Sequence, residues 1–379
     1  MVNKPVTSKK ILMPLIILII ISLLLTACGA PQTAEEPTKT ETTIEAPTEE
    51  VAGEEKITIG VVMLGLTHPY HVEQMEAGTA AAKAYGAEAI YKSSEGDLDT
   101  QIALIETFIE QGVDALIVAP VNKDAMDPLV AKAKEAGIPF ITMYEALDNP
   151  DAHGTPTPDY DNFVKYAEIV GACLNWDADV VMLGGLPGNA PADNRKNGFE
   201  DRIAALESDH PNFKLISYQP TDWDPVKAQN VVQDWLTQFS EIDGMVTASD
   251  SLMYSAIDLL KAAGREKKTL LFGHDGDVKA LELVQDGTFA SDVLFGATRL
   301  EWFLIRYAID IVRGKDVPEV VNMPTSFVMR PELAEQCYTN GLSKDITFVT
   351  PEEALEVARN GALEFGPDVD VDWSRFVTK

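Results

Sequence analysis

Ala115-Leu116-Ile117-Val118, a helix-period segment over Asp124–Ala136, and then Pro139-Phe140-Ile141-Thr142-Met143 form the stretch on which the fold turns. Both apolar runs are too short for a helix, rich in β-branched or aromatic residues, and apolar at consecutive positions. That is the pattern of a strand buried on both faces. Two such strands with a helix between them belong to a parallel sheet covered by helices. Upstream, Ile57-Thr58-Ile59-Gly60-Val61-Val62-Met63 and Ala89-Ile90-Tyr91 extend the series. Helical patterns lie between them, one with Val72, Met75, Ala80 and Ala84 on one side, another over Asp99–Glu110. A second series follows: Val180-Val181-Met182-Leu183, Lys214-Leu215-Ile216-Ser217, Met245-Val246-Thr247, Leu270-Leu271-Phe272 and Ser291-Asp292-Val293-Leu294. Together they exceed one comfortable sheet and predict an α/β chain of two doubly wound parallel-sheet lobes. Ligands of such sheets bind at the carboxyl ends of the strands. Two lobes facing each other across a hinge therefore predict a ligand cleft between them.

Composition narrows the partners. The 379 residues carry 60 Asp+Glu against 30 Lys+Arg, a net charge of -30, which argues against nucleic acid because phosphate binding needs a basic surface. Three cysteines are too few for a disulfide framework, and no set of long apolar segments marks a multi-span membrane protein. Cys173 reads most simply as a small core residue among Val170, Ala172 and Leu174. A bond to Cys337 is the alternative in an oxidising compartment.

The N-terminus is a separate piece. Lys4, Lys9 and Lys10 precede an apolar run from Ile11 to Leu25, shorter than the roughly 18 residues of a membrane span, as in an export signal. The run ends Leu25-Thr26-Ala27-Cys28-Gly29, which resembles the bacterial lipoprotein box. The resemblance implies removal of residues 1–27 and lipid attachment to Cys28, and so an exported chain held at the cell membrane, facing the periplasm or the exterior. Residues 28–56 are acidic and rich in Pro and Thr. With so little apolar surface to bury, they are expected to be a disordered tether.

Within residues 57–330 an ordered set of motifs resembles the sugar-binding branch of the type I periplasmic binding proteins, the group of the ribose- and galactose-binding proteins. Thr67-His68-Pro69-Tyr70-His71 follows the first strand; Val118-Ala119-Pro120-Val121-Asn122-Lys123-Asp124-Ala125 and Ala136-Gly137-Ile138-Pro139-Phe140-Ile141 follow in order. Gly185-Leu186-Pro187-Gly188 comes before Arg195 and Gly198-Phe199. Asp222-Trp223-Asp224, Ala248-Ser249-Asp250 and Phe272-Gly273-His274-Asp275-Gly276 complete the set. The resemblance implies interleaved lobes, the first about 57–160 plus 297–324 and the second about 161–296 plus 325–330. Arg299–Val312 would be a helix returning to the first lobe and Thr325–Met329 a strand in the second. Residues 331–379 extend past the usual family end, with short helices expected at Glu335–Tyr338 and Pro351–Arg359.

The resemblance also implies a ligand set: His68, Tyr70, His71, Tyr144, Glu145, Arg195, Trp223, Ser249, Asp275 and Phe295. Arg195 would supply a planar fork to paired hydroxyls, or pair with Asp193 or Glu200 on its own helix. Asp275, at a strand end, would accept hydroxyl protons, or cap the helix beginning near Val278. Trp223 and Tyr70 would stack on a sugar ring, and Ser249 stands where Asn is usual, with a shorter reach. Tyr144 and Glu145 stand where Asp-Arg is common in the family, and Phe295 where Gln is frequent. These departures point away from ribose and would set Glu145 and Asp275 against Arg195, favouring a neutral polyol or a ligand with a basic group. His68 and His71 are expected to serve as hydrogen-bonding groups rather than metal ligands, since their spacing matches no helical ligand pattern. The Gly184–Gly188 loop lacks a Walker ending, and neither a Gly-x-Ser-x-Gly elbow nor a reactive Cys environment is present. The reading is a substrate-binding lipoprotein of an ABC-type carbohydrate uptake system, without enzymatic activity or cofactor, delivering its ligand to a membrane permease. The alternatives are a receptor presenting its ligand to a sensor kinase or chemoreceptor, or a binder of a nucleoside or other metabolite.

Overall fold

The computed structural model describes residues 56–66 and 69–377. The export signal, Cys28, nearly all of the tether, and His68 lie outside the described residues. The first lobe opens β1 Thr58–Met63, α1 Pro69–Ala84, β2 Glu88–Ser93, α2 Leu98–Gln111, β3 Ala115–Val118, α3 Asp127–Glu135, β4 Phe140–Tyr144 and β5 Ala152–Pro156. The second runs α4 Asp159–Cys173, β6 Ala178–Gly184, α5 Ala190–Leu206, β7 Phe213–Pro220, α6 Pro225–Gln238, β8 Gly244–Thr247, α7 Asp250–Ala262, β9 Leu270–Phe272, α8 Val278–Asp286 and β10 Phe289–Leu294. Then α9 Ala297–Val312 returns to the first lobe and β11 Ser326–Met329 to the second. They are followed by α10 Pro331–Thr339, β12 Phe348–Val349, α11 Pro351–Arg359 and α12 Ala362–Phe365.

Two sheets result, ordered β2-β1-β3-β4-β5 and β12-β11-β10-β9-β8-β6-β7. All pairings are parallel except β10 with β11. Each sheet is buried on both faces, and the alternation of side chains assigns them. Ile59, Val61, Ala115 and Ile117 join the core shared with α9, while Val62, Leu116 and Val118 join the core under α2 and α3. In the second lobe Val180 and Met182 face α4, and Val181 and Leu183 face α6 and α7.

Three departures from the sequence reading have physical causes. The helix expected over Asp124–Ala136 is a 3-10 turn, Lys123–Ala125, capped by Asn122, followed by α3, whose start is fixed by Pro128. β5 carries His153, Gly154 and Pro156 and no apolar run, so its backbone pairing, chiefly with β4, makes it a strand. Cys173 is not simply a core filler. It is bonded to Cys337 with Cα atoms 4.4 Å apart, tying the end of α4 to α10.

The segment after β11 divides between the lobes. The pair α10 and β12 completes the second lobe, where α11 also packs on α8. Phe365, Trp373 and Phe376 then enter the first-lobe core against Phe303. The chain therefore crosses between lobes near Pro158, Gly296, Pro324 and Gly361.

The contact of α4 with α5 needs a glycine. A Cβ on Gly198 would lie 2.3 Å from the Tyr160 carbonyl oxygen, a backbone atom that cannot swing aside. Gly198→Ala is expected to destabilise the fold by about 1–3 kcal/mol through overpacking, read as a lower urea midpoint at unchanged slope.

Candidate functional site

The strand ends of the second lobe converge on one buried ion-pair cluster. Arg195, on α5, donates from Nε to Asp159 Oδ1 at 2.7 Å and from Nη1 to the Ala248 carbonyl at 2.6 Å; Nη1 also reaches Asp275 Oδ1 at 3.5 Å. Its side chain is 7% exposed and that of Asp159 3%. Burial works against the guanidinium charge, but Asp159 and Asp275 outweigh it and hold the group charged. Neither partner expected from its own helix is used. Asp193 accepts from the Gly188 amide and Glu200 pairs with Lys196.

Asp275 accepts from Ser249 Oγ at 2.6 Å and lies 3.2 Å from His274 Nδ1. Burial pushes its carboxyl up, yet the His274 and Ser249 hydrogen bonds and Arg195 hold it below the usual range, as a carboxylate. It does not cap α8; that position is taken by Asp277. His274 is buried against Phe163, and burial, followed by Arg195, lowers its pKa. The neutral ring donates from Nδ1 to Asp275. Among the described residues, no three His, Cys, Asp or Glu side chains are grouped as metal ligands.

Trp223 stands in a left-handed turn with Asp222, φ 61° and 54°. Its indole lies against Gly185, where a Cβ would come within 2.2 Å, and the Arg195 guanidinium sits 5.8 Å from the ring centroid. Trp223 and Arg195 thus form one stacked surface.

The first lobe answers with aromatic groups. Tyr70 lies parallel to Phe295, centroids 6.5 Å apart, and edge-on to His71 at 6.1 Å. Phe295 is itself buried in the first-lobe core, so it is the backing of Tyr70 rather than an exposed face. Burial raises the Tyr70 phenol, and the next contributions come from Tyr144, Asp275, Asp277 and Arg195, which places it within electrostatic reach of the second lobe. Tyr144 has φ 71°, a conformation bulky residues avoid, and its hydroxyl donates to Gln74 Oε1 at 2.9 Å. Gln74 Nε2 in turn donates to Glu301 Oε1 at 3.1 Å, and Tyr91 Oη lies 2.7 Å from Glu301 Oε2. With its amide fixed by Glu301, Gln74 can only accept from Tyr144, whose oxygen keeps lone pairs for another donor.

Glu145 does not join Asp275 and Arg195. It is half-buried, and its carboxyl, raised first by burial, senses Lys123 and Asp124 on the neighbouring 3-10 turn. Neither Asp275 nor Arg195 acts on it, so in place of the expected Glu145–Asp275–Arg195 grouping the structure brings together Asp159, Arg195 and Asp275.

The geometry sets hydrogen-bonding charge at the strand ends of one lobe and aromatic rings at those of the other. Residues 59–316 match the model of the periplasmic binding protein domain. The chain belongs to the periplasmic binding protein family. It is 30% identical over 295 residues to the xylitol-binding protein of Mycolicibacterium smegmatis, covering 77% of this chain and 78% of the relative. It is 25% identical over 273 residues to the ribose import binding protein of Bacillus subtilis, covering 71% and 86%. Among solved structures, an ABC transporter solute-binding protein from Bacillus halodurans with bound myo-inositol superposes with a TM-score of 0.65 at 25% identity, covering 76% of this chain and 99% of that one. These relatives are binding proteins, not enzymes.

For this periplasmic binding protein, sequence reasoning passed over Asp159, Gln74, Tyr91 and Glu301, and gave His274 no role beyond its place in the motif around Asp275. The available signal was a polar residue on the buried face of a helix, as with Gln74 on α1 and Glu301 on α9. Glu301 is fully buried without a cation, and burial raises its pKa to about 8. The folded chain keeps that proton between the ordinary glutamate range and about pH 8, where the unfolded chain has lost it, so this group's stabilisation falls as pH rises through that window. Glu301→Gln removes the slope. Urea midpoints at pH 5 and pH 8 are expected to shift in favour of the variant by up to about 1.4 kcal/mol per pH unit; parallel wild-type and variant curves would mean Glu301 is ionised throughout.

Proposed function

We propose that the chain captures a neutral sugar or sugar alcohol between its lobes and delivers it, chemically unchanged, to the permease of an ABC-type importer, held at the membrane by a lipid on Cys28. The observation that carries this reading is the Arg195–Asp275–Ser249 cluster at the strand ends of one lobe, opposite Tyr70 and Tyr144 on the other, in a member of the periplasmic binding protein family. A fork donor beside an ionised acceptor matches adjacent hydroxyls, and aromatic faces match the C–H surface of a sugar or polyol. Because Asp159 and Asp275 already balance Arg195, the cluster offers no surplus positive charge, and a sugar acid would enter against carboxylates. The xylitol and ribose specificities in the names of the relatives support the neutral class. Ligand acts by favouring the closed arrangement, in proportion to its preference for that state.

Melting the chain with xylitol, D-ribose, D-allose, myo-inositol and D-glucuronate tests the reading. At about 100 times Kd, a ligand of the native state adds about 2.7 kcal/mol and raises Tm. The neutral compounds include at least one that shifts Tm and is recovered intact by NMR; glucuronate gives no shift. A shift with glucuronate alone would reverse the charge argument, and conversion of the ligand would reassign the chain to catalysis. Cys28→Ser is expected to move the chain from the membrane fraction to the soluble one, since stable attachment rests on the acyl chains.

A further inference from the structure

The loop that carries Asp275 is held in a conformation that does not sustain itself. Asp275 has φ 137° and Gly276 φ 71°. A Cβ on Gly276 would lie 2.8 Å from the Leu294 backbone, so the loop is also pressed against β10. Non-glycine residues at positive φ persist only where the surroundings over-determine them. Here the Phe295 and Gly296 amides donate to the Asp275 carbonyl, and the Asp275 amide reaches the Val293 carbonyl at 3.4 Å. The Gly273 amide donates to the Ser291 carbonyl and the Gly276 amide to the Asp292 carboxylate, and two further amides of the loop go to one side chain. The His274 amide donates to Asp250 Oδ1 at 2.9 Å, and the Asp277 amide to Asp250 Oδ2 at 3.2 Å. The Asp250 amide returns a bond to the His274 carbonyl at 2.8 Å. Gly273 leaves room for this approach, since a Cβ there would meet Asp250 Oδ1 at 2.5 Å.

Asp250 is a costly residue to keep at this place. It is fully buried, has no cation beside it, and shares the core with the buried acid Asp292, which takes the Val293 and Gly276 amides. Burial first, then Asp292, Asp277 and Asp275, push its carboxyl up. As the opening residue of α7 it gains something from the helix dipole, worth well under the several kcal/mol that burying a lone acid costs. Asp292 holds only the Gly276 amide of this loop, whereas Asp250 bridges the amides on either side of Asp275-Gly276, and its neighbour Ser249 holds the Asp275 carboxylate at 2.6 Å.

We propose that Asp250 is a positioning residue for ligand capture: it clamps the His274 and Asp277 amides and thereby fixes the direction in which Asp275 presents its carboxylate to the cleft. The inference rests on the carbohydrate-binding reading for its consequence in affinity, but not for the clamp itself.

Asp250→Asn keeps the volume and turns one acceptor into an amide that faces a backbone N–H. In the full chain, hydrogen exchange at the His274 and Asp277 amides is expected to speed up about tenfold, while strands β6 and β1 keep their protection. Kd for D-ribose or xylitol is expected to rise about tenfold, the scale of one hydrogen bond to a charged group. In an Asp275→Ala background the same substitution leaves Kd within about twofold, because a positioning residue acts only through the group it positions. Unchanged exchange at both amides overturns the clamp, and an equal loss of affinity in both backgrounds overturns the positioning role. If neither sugar binds the wild-type chain, the ligand class has failed and the exchange result decides the clamp. If Asp250→Asn does not fold, the wild-type amides decide it: His274 and Asp277 exchanging as fast as the exposed Leu186 amide would refute the proposal.

Discussion

Arg195→Ala is expected to weaken sugar capture by more than tenfold and to remove about 3–5 kcal/mol of folding stability, the usual consequence of deleting one partner of a buried ion pair. The stability loss does not come from one missing salt bridge. Asp159 and Asp275 are both buried, and both look to the same guanidinium. Without it, two carboxylates face each other in the core with only Ser249, Thr157 and the neutral His274 left to solvate them. For a chain of this size the expected fall in Tm is roughly 5–10 °C. Arg195→Lys separates the two effects: a lysine restores a positive charge but not the fork, so most of the stability returns while the affinity does not. A melting temperature unchanged in Arg195→Ala would show that the buried pair is not formed. Wild-type affinity in a stable Arg195→Ala or Asp275→Ala variant would move the ligand elsewhere. The pH dependence follows from the same pairing. Asp275 is held below the ordinary carboxylate range, so its contribution is present above that range and is lost only as the pH falls through the lowered value.

What the sequence made legible was whatever repeats locally. The two-sided burial of Val180-Val181-Met182-Leu183 is written into four consecutive apolar residues, and the structure divides them alternately between two cores. The sequence Ala152-His153-Gly154-Thr155-Pro156 carries no such record. It is a strand because β4 lies beside it and because Gly154 exchanges backbone bonds with Glu319 and Val321, more than 160 residues away. The cluster shows the same division. Arg195, Ser249 and Asp275 were accessible because each follows a strand or a glycine-rich loop whose position is local information. Asp159, the strongest partner of Arg195, is 36 residues upstream, and local reading offered Asp193 and Glu200 instead. Glu145 was expected in the cluster from the resemblance to the family's Asp-Arg pair rather than from a local signal; Tyr144 takes φ 71° at the end of its strand, and the Glu145 carboxyl senses Lys123 and Asp124 instead. Gln74 and Glu301 are 227 residues apart and become one network only when α1 and α9 pack.

Reduction of the Cys173–Cys337 bond, or a Cys173→Ser/Cys337→Ser double variant, is expected to cost about 2–5 kcal/mol while leaving sugar affinity within about twofold. The size comes from the span. The bond closes a segment with a sequence separation of 164, and loop-closure entropy alone places the upper end near 5 kcal/mol. The selectivity comes from the helix that carries it. Cys173 is the last residue of α4 and Asp159 the first, so a 15-residue helix, about 21 Å long, stands between the bond and the carboxylate that holds Arg195. That helix is fixed along its length by other contacts: Tyr166 donates to the Gly273 and Ser291 carbonyls, and Phe163 packs on Phe199 and His274. Loosening its far end therefore frees α10 and the end of α4 before it disturbs the cluster. Urea midpoints with and without reductant, beside calorimetry on the same samples, check both halves. An unchanged midpoint would mean the two thiols do not pair. A loss of affinity that tracks the loss of stability would mean α4 transmits strain from α10 to Asp159, coupling the disulfide to capture.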